Sequence, residues 1–403
     1  MGKTTRGEAD ENQLRNDLIF VSDEEWDEIW RRNQFLCVGL CQRSPELRIL
    51  FVARATNYPR LIFAALRQRS LAVLRQARQE AKTQQLSDYP QVFVARVPKP
   101  AFDAWPLTRK VNQWVARRHL KKEAARLGFK KYLLWLNRHD AHHMAGQMGE
   151  RASIYDITDD WTEFGSPRER QLTIEQDGDL CRRADLTIVC SQSLYDTRKD
   201  RSRAILHLPN GVQLEHYQNL AQHAAIAPSY PGPVFGYTGT LHPERVDASL
   251  LEALAREYPG GSVVLVGPNH FDTATCERLT KLSNVHFIGA VPYSQIPRYM
   301  AAFDVCIVPH LETPFTQSLN PLKLWEYLAC GKPVASTNVA GFQDYAQLCH
   351  IGSGTDGFLQ ACRAALGETE DRERATQRQA AATGHSWDAR LDTLLTALEK
   401  WNS

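Results

Sequence analysis

Short apolar runs punctuate this chain, three to five residues each and rich in Val, Ile, Leu and Phe. Between them lie longer stretches whose apolar positions recur every three or four residues. The runs predict strands at 18–21, 48–52, 92–95, 132–136, 153–155, 186–189 and 204–208, and again at 234–237, 262–266, 285–288, 305–308 and 333–336. Because helical stretches separate them, the pattern predicts α/β layers on parallel strands. No run approaches the roughly 20 apolar residues of a bilayer-spanning helix. Residues 218–233, rich in Ala, His and Pro, read as a linker. They divide a first domain, 1–217, from a second, 234–385, which a C-terminal segment, 386–403, follows with an amphipathic helix over 386–401. A length of 403 residues suits two such domains, since one hydrophobic core seldom grows past about 250–300 residues. Two open α/β sheets would turn their strand ends toward one cleft, the usual place for a ligand.

Composition narrows the class. With 43% hydrophobic and 23% charged residues, disorder and low-complexity architectures are excluded. Nine cysteines without a Cys-x-x-Cys pair argue against a disulfide framework and a four-ligand zinc site, and predict reduced, mostly buried thiols. The first seventeen residues are polar and lack an apolar core, so no signal peptide is expected and the reading is cytoplasmic. The formal net charge of +2 conceals an asymmetry: residues 58–131 hold 17 Lys/Arg and 4 Asp/Glu, a balance of +13, which leaves −11 elsewhere. Read as a helix over 59–82, the segment places Arg60, Arg67, Arg75, Arg78 and Lys82 within an arc of about 80°, beside a sector with Ile62, Phe63 and Leu66. A basic amphipathic helix of this kind suits an anionic membrane surface and a peripheral position on the inner face of the cytoplasmic membrane. The plain alternative is a solvated helix with its apolar side on the core. No nucleic-acid-binding motif accompanies the charge, and no nucleic-acid partner is expected.

The most informative segment runs from Ser318 to Val334. Asn320 suits an N-cap, Pro321 a first helical position, Gly331 a C-terminal left-handed residue, and Pro333 a stop. A helix N-terminus after a strand offers N–H donors and positive dipole character to a phosphate. Lys323 adds a cation in the first turn, and Glu326, three residues on, can accept from vicinal hydroxyls. Together they describe a sugar-nucleotide site, although the same spacing also fits a solvated i,i+3 ion pair.

This segment, Asn320-Pro-Leu-Lys-Leu-Trp-Glu-Tyr-Leu-Ala-Cys-Gly-Lys-Pro-Val334, resembles the nucleotide-binding signature of GT-B glycosyltransferases. The likeness is nearest to a bacterial group with teichuronic-acid and xanthan-type glucuronosyltransferases. Other blocks agree in order: Trp30-Arg-Arg-Asn-Gln34, Tyr155-Asp-Ile-Thr-Asp-Asp-Trp161, Leu208-Pro-Asn-Gly-Val212 and Gly236-Tyr-Thr-Gly239. The resemblance implies a GT-B fold, two Rossmann-like α/β domains facing a cleft, with the donor in the second domain and the acceptor in the first. It implies transfer of a hexose or glucuronate from a UDP-linked nucleotide-sugar to a hydroxyl of a glycan or lipid-linked acceptor in polysaccharide biosynthesis, with no metal and no cofactor. By the same likeness Glu326 holds the ribose hydroxyls and Lys323 lies near the diphosphate or the donor sugar. Thr238 and Gly239 form a loop that lets backbone approach the phosphates, and Gly267 sits in a similar loop. Val291, Pro292 and Tyr293 frame the base, while Thr316 and Asn320 line the approach to the helix.

One departure is informative. Many retaining members carry two glutamates with seven residues between them, and here the position eight before Glu326 is Ser318. That favours the inverting subgroup, in which direct displacement needs a carboxylate base on the acceptor hydroxyl. Asp156, Asp159 and Asp160, just after a predicted strand, are the candidates, with Asp156 or Asp159 preferred and Asp160 as a cap. Clustered carboxylates raise one another's pKa, which suits a base near neutral pH. His139-Asp-Ala-His-His143 offers imidazoles for a metal, but its spacing is not that of a helical zinc pair. Rival readings are an epimerase or hydrolase of the same architecture, and a non-catalytic nucleotide-sugar-binding protein.

Overall fold

The computed structural model describes residues 14, 16–68, 72, 82–103, 105–163, 165–218 and 220–401. They form two compact units. The first comprises Arg31–Leu208 with the segments that end at Asp27 and begin at Leu391. Its strands are β1 (Asp17–Val21), β2 (Ile49–Asn57), β3 (Gln84–Gln85), β4 (Val92–Lys99), β5 (Tyr132–Leu136), β6 (Ala152–Ile157), β7 (Leu186–Val189) and β8 (Ile205–His207). They make one sheet in the order β3-β4-β2-β1-β5-β6-β7-β8, parallel except for β3 against β4. Leu18 of β1 is in register with Ile49 on one side and Leu133 on the other. Every residue of β5 is buried, as a parallel strand covered on both faces requires. The polar, exposed β3 carries no apolar pattern and exists only through its pairing with β4.

The second unit comprises Pro209–Arg390 with Glu28–Trp30. Its strands are β9 (Val234–Thr238), β10 (Ser262–Val266), β11 (Val285–Gly289), β12 (Val305–Val308), β13 (Val334–Ser336) and β14 (His350–Ile351). They lie parallel in the order β11-β10-β9-β12-β13-β14. Alternate side chains enter opposite cores. Val264, Val266, Cys306 and Val308 join one cluster, and Val263, Leu265, Val305 and Ile307 the other. The divide between the units falls between Leu208 and Pro209, so the helix Leu214–Tyr217 goes with the second unit. The helix Leu220–Ala224 occupies part of the stretch read as a linker.

The closing helix is Trp387–Leu398, and its residues from Leu391 onward group with the first unit. There Arg43 pairs with Asp392, and Asn16 Nδ2 donates to the Trp401 carbonyl at 2.7 Å. All nine cysteines are free thiols, and all but Cys276 are buried.

Within the basic segment the described residues form a helix over Tyr58–Gln68, and most of the remainder of the expected helix lies outside the described residues. Lys82 lies in a bend, while Arg75 and Arg78 fall outside the described residues. The apolar side of this helix does not reach the core: Ile62, Phe63 and Leu66 are 49%, 70% and 73% exposed. The helix Pro106–Arg126 likewise exposes Leu107 and Trp114, and Trp105 is exposed at its start. Among the described residues no helix is long and apolar enough to cross a membrane.

Gly236 of β9 faces Phe303, and a Cβ there would lie 2.1 Å from the ring. Gly236→Ala should therefore destabilise the protein by about 1–3 kcal/mol through overpacking. The check is a lower denaturation midpoint at unchanged slope.

Candidate functional site

In the second unit the carboxyl ends of β9, β10 and β11 carry three glycines at positive φ: Gly239 (128°), Gly267 (146°) and Gly289 (81°). The Gly239 N–H donates to the Val266 carbonyl at 2.8 Å, and the Gly267 N–H to the Gly289 carbonyl at 2.9 Å. A Cβ on Gly267 would lie 2.2 Å from the Gly239 carbonyl oxygen, and one on Gly239 would lie 3.1 Å from Lys323 Nζ. Only glycine lets these two loops touch and leaves the Lys323 ammonium against their backbone. Thr238 is buried, and its N–H donates to the Tyr327 hydroxyl at 2.9 Å, so that donor faces inward.

Lys323 lies in the first turn of the helix Leu322–Ala329. Its Nζ donates to the Tyr237 hydroxyl at 2.9 Å and sits 4.4 Å from the centre of that ring. The Arg245 guanidinium lies 5.1 Å from the centre of the Phe315 ring. Burial, then the charges of Lys323 and Arg245, hold His310 neutral, with its pKa well below the usual imidazole range. Lys323 and Arg245 thus make this region cationic. Arg245 is absent from the sequence candidates; its signal there is a basic residue in the loop six positions after Gly239.

Glu326, one turn along the helix, is half-buried, and its Oε1 accepts from the Tyr217 hydroxyl at 2.9 Å. Burial raises its pKa, against the pull of Tyr217 and Lys323. The Tyr293 ring stacks on His216, with centroids 4.2 Å apart, and on Trp30 at 5.9 Å. It meets Tyr217 edge-on at 6.1 Å. Val291 and Tyr293 are partly buried against the same core, with Pro292 between them. The structure therefore brings Glu326 and Tyr293 together through Tyr217, and Lys323 together with Gly239 and Gly267.

Two expected residues serve the loop before this helix. The N-cap is Pro321, one residue later than the sequence suggests. Asn320 is instead clamped to Asn210: its Oδ1 accepts from the Asn210 N–H at 2.8 Å and its carbonyl from Asn210 Nδ2 at 2.6 Å. Thr316 is fully buried, and its hydroxyl donates to the Leu311 carbonyl at 2.6 Å. Ser318 is also buried, with Oγ donating to the Phe315 carbonyl at 2.7 Å.

In the first unit the three aspartates after β6 diverge. Asp156 is 1% exposed, and its two oxygens accept from Arg32 Nη2 at 3.1 Å and Nε at 3.2 Å. Arg32 Nη1 also donates to the Leu208 carbonyl at 3.0 Å. Asp160 accepts from Arg198 Nη1 and Nη2 at 2.8 and 2.7 Å. Burial raises the Asp160 pKa, but Arg198 and the Thr162 hydroxyl outweigh it and hold the carboxyl below its usual range. Arg198 also lies 3.4 Å from Asp177, which accepts from the Tyr155 hydroxyl at 2.9 Å. Asp156 and Asp160 are thus each held by a guanidinium in a two-point contact. Asp159, between them, is half-buried.

His142 Nδ1 lies 3.0 Å from Asp179, and His143 Nδ1 lies 3.2 Å from Arg117. Burial and Arg117 push the His143 pKa down to about 3. Among the described residues no three His, Cys, Asp or Glu side chains converge to hold a metal ion. A cavity of about 130 Å³ opens near the ends of β2, β4 and β5, walled by Ala53, Val97, Arg109, Asn112, Arg138 and Met144.

Residues 232–368 match a family model described as "Glycosyl transferases group 1". A Bacillus subtilis (strain 168) protein named "Putative teichuronic acid biosynthesis glycosyltransferase TuaH" is 28% identical over 254 residues. That match spans 58% of this chain and 64% of TuaH, a little under two thirds of the relative. Among solved structures, sucrose-phosphate synthase from Thermosynechococcus elongatus is similar at a TM-score of 0.69 and 17% identity, over 96% of this chain and 99% of that one. Anabaena Alr3699/HepE, solved in complex with UDP and glucose, is similar at a TM-score of 0.67 and 16% identity, over 96% and 99% of the two chains. With its two Rossmann-like units and these likenesses, the chain has the GT-B fold and resembles bacterial polysaccharide glycosyltransferases.

Proposed function

We propose that the protein transfers a sugar, a hexose or a glucuronate, from a UDP-linked donor to a hydroxyl of a glycan or lipid-linked acceptor in polysaccharide biosynthesis. The observation that carries this reading is the contact between the Gly239 and Gly267 loops against Lys323, with Glu326 one helical turn away. Close backbone, a cation and a helix N-terminus suit a diphosphate, and a carboxylate one turn on suits ribose hydroxyls. The solved complexes of Alr3699/HepE with UDP and with UDP-glucose favour a uridine nucleotide. The name of TuaH favours polysaccharide synthesis.

In the proposed reaction, Lys323, Arg245 and the first-turn N–H groups of Leu322–Ala329 stabilise the departing diphosphate, where negative charge develops. Glu326 accepts from the ribose hydroxyls, and the Tyr293–His216 stack with Val291 and Pro292 frames the base. Inversion by direct displacement, without a metal ion, fits the buried Ser318 at the position where retaining enzymes place a glutamate. The base then comes from the carboxyl edge of the first sheet. Arg60 and Arg67, beside the exposed Ile62, Phe63 and Leu66, lie on an anionic membrane that carries the acceptor.

UDP-sugars should raise the melting temperature, by mass action on the native state. Glu326→Gln should weaken donor binding roughly 10- to 100-fold, since a hydrogen bond to a charged group is worth about 1.5–3 kcal/mol. A panel of UDP-, ADP- and GDP-sugars, scored by thermal shift and then by turnover, tests the reading; if none stabilises the protein, it fails. Charge reversal at Arg60 and Arg67 should reduce sedimentation with vesicles of anionic phospholipid and leave the weak binding to zwitterionic vesicles unchanged.

A further inference from the structure

The first sheet reverses its direction of growth between β1 and β5: β2 and β4 extend it on one side, β5 to β8 on the other. In parallel α/β sheets that reversal opens a crevice beyond the strand ends, where ligands bind. Glu24 stands in the loop that leaves β1 there, and Asn137 follows β5 directly. Asn33, in the first turn of the helix Arg32–Arg43, is 1% exposed and ties the loops together. Its Nδ2 donates to Ser22 Oγ at 2.9 Å, to Asn137 Oδ1 at 2.8 Å and to Glu24 Oε2 at 3.1 Å. Its buried Oδ1 has no hydrogen-bond partner among the described residues. The Glu24 N–H donates to Ser22 Oγ at 2.9 Å.

Two neighbouring acids are matched closely by arginines, Glu25 with Arg96 at 2.7 Å and Asp27 with Arg31 at 2.9 Å, while Asp23 lies 3.8 Å from Arg138. Among the described residues the arginine beside Glu24 is Arg31, whose Nε is 3.8 Å from Oε1, and the Glu24 side chain is 31% exposed. Its carboxylate is thus held by a neutral amide, partly exposed, and not clasped at two points by a guanidinium as Asp156 and Asp160 are.

We propose that Glu24 is the carboxylate that takes the proton from the acceptor hydroxyl. This inference rests on the transferase reading above. In the step, the acceptor oxygen bonds to the anomeric carbon, and the bond from that carbon to the diphosphate oxygen breaks. The nucleoside diphosphate leaves with the electron pair, and the hydroxyl proton passes to Glu24. Burial raises the Glu24 pKa to about 7; Arg31 opposes this, and the charges of Asp159, Asp23 and Asp27 add to it. A base that titrates near the working pH combines a useful ionised fraction with a strong affinity for the proton. Asp159 becomes a positioning residue that acts through Glu24.

The test uses the full chain, a UDP-sugar and an acceptor that the wild type glycosylates. Glu24→Gln should lower kcat/KM on the order of 10²- to 10⁴-fold while the thermal shift with UDP stays as in the wild type. Wild-type kcat/KM should rise with pH through a midpoint near the Glu24 pKa of about 7, because only the ionised carboxylate accepts a proton. That ascending limb should vanish in Glu24→Gln and move to lower pH in Asp159→Asn, where a repelling charge is gone. Undiminished transfer by Glu24→Gln, or an ascending limb unchanged in it, overturns the assignment. So does a loss of transfer that matches a loss of folded protein. A wild type that no sugar nucleotide stabilises overturns the transferase reading itself, which separates the two failures.

Discussion

A charge taken out of water persists in a protein only where an opposite charge meets it closely, and the Arg32–Asp156 pair organises the first unit around that requirement. Asp156 lies next to the end of β6, Arg32 opens the helix after β1, and the Leu208 carbonyl beyond β8 takes the third guanidinium bond. One ion pair therefore joins three separate parts of the sheet at its carboxyl edge. Arg198 repeats the device with Asp160 and Asp177, and Tyr155 closes it. Both devices tie carboxylates to guanidiniums around the strand ends.

The second unit solves a different problem at the same edge of its own sheet. There the backbone itself must come close, and Gly239 and Gly267 meet at a distance that no Cβ would permit. The contact leaves the Lys323 ammonium beside peptide groups, and burial, then Lys323 and Arg245, keep the nearby His310 neutral. Glu326 is reached through Tyr217 and Tyr293, so the anionic and aromatic parts of the candidate nucleotide site are mechanically one piece.

Much of this was legible in the order of residues. The continuous apolar runs at Tyr132–Leu136, Leu186–Val189, Ser262–Val266 and Val305–Val308 are strands to the residue, because a parallel strand buried on both faces needs an unbroken apolar run. Lys323 and Glu326 were legible from helical spacing, which is a local property. The strands β3 and β14, two residues each, were not, since their only warrant is a neighbour to pair with. Asn320 was misplaced by one residue because its partner, Asn210, lies 110 positions away in sequence.

The role of an acidic residue was the least legible feature. The spacing of Asp156, Asp159 and Asp160 proposes a cluster of like charges with mutually raised pKa values. Arg32 and Arg198, 124 and 38 residues away, turn two of the three into ion pairs. Glu24 lies in an acidic run that reads as a solvated loop, and only the meeting of β1, β5 and the helix at Arg32 sets it beside Asn33 and Asp159. By itself the sequence determined the α/β layering, the helix that carries Lys323 and Glu326, and the glycines, because periodicity, capping and the lack of a Cβ are local facts. Which carboxylates meet a guanidinium and which a neutral amide was decided by tertiary structure alone, because the partners that meet them are set by how the chain folds back on itself.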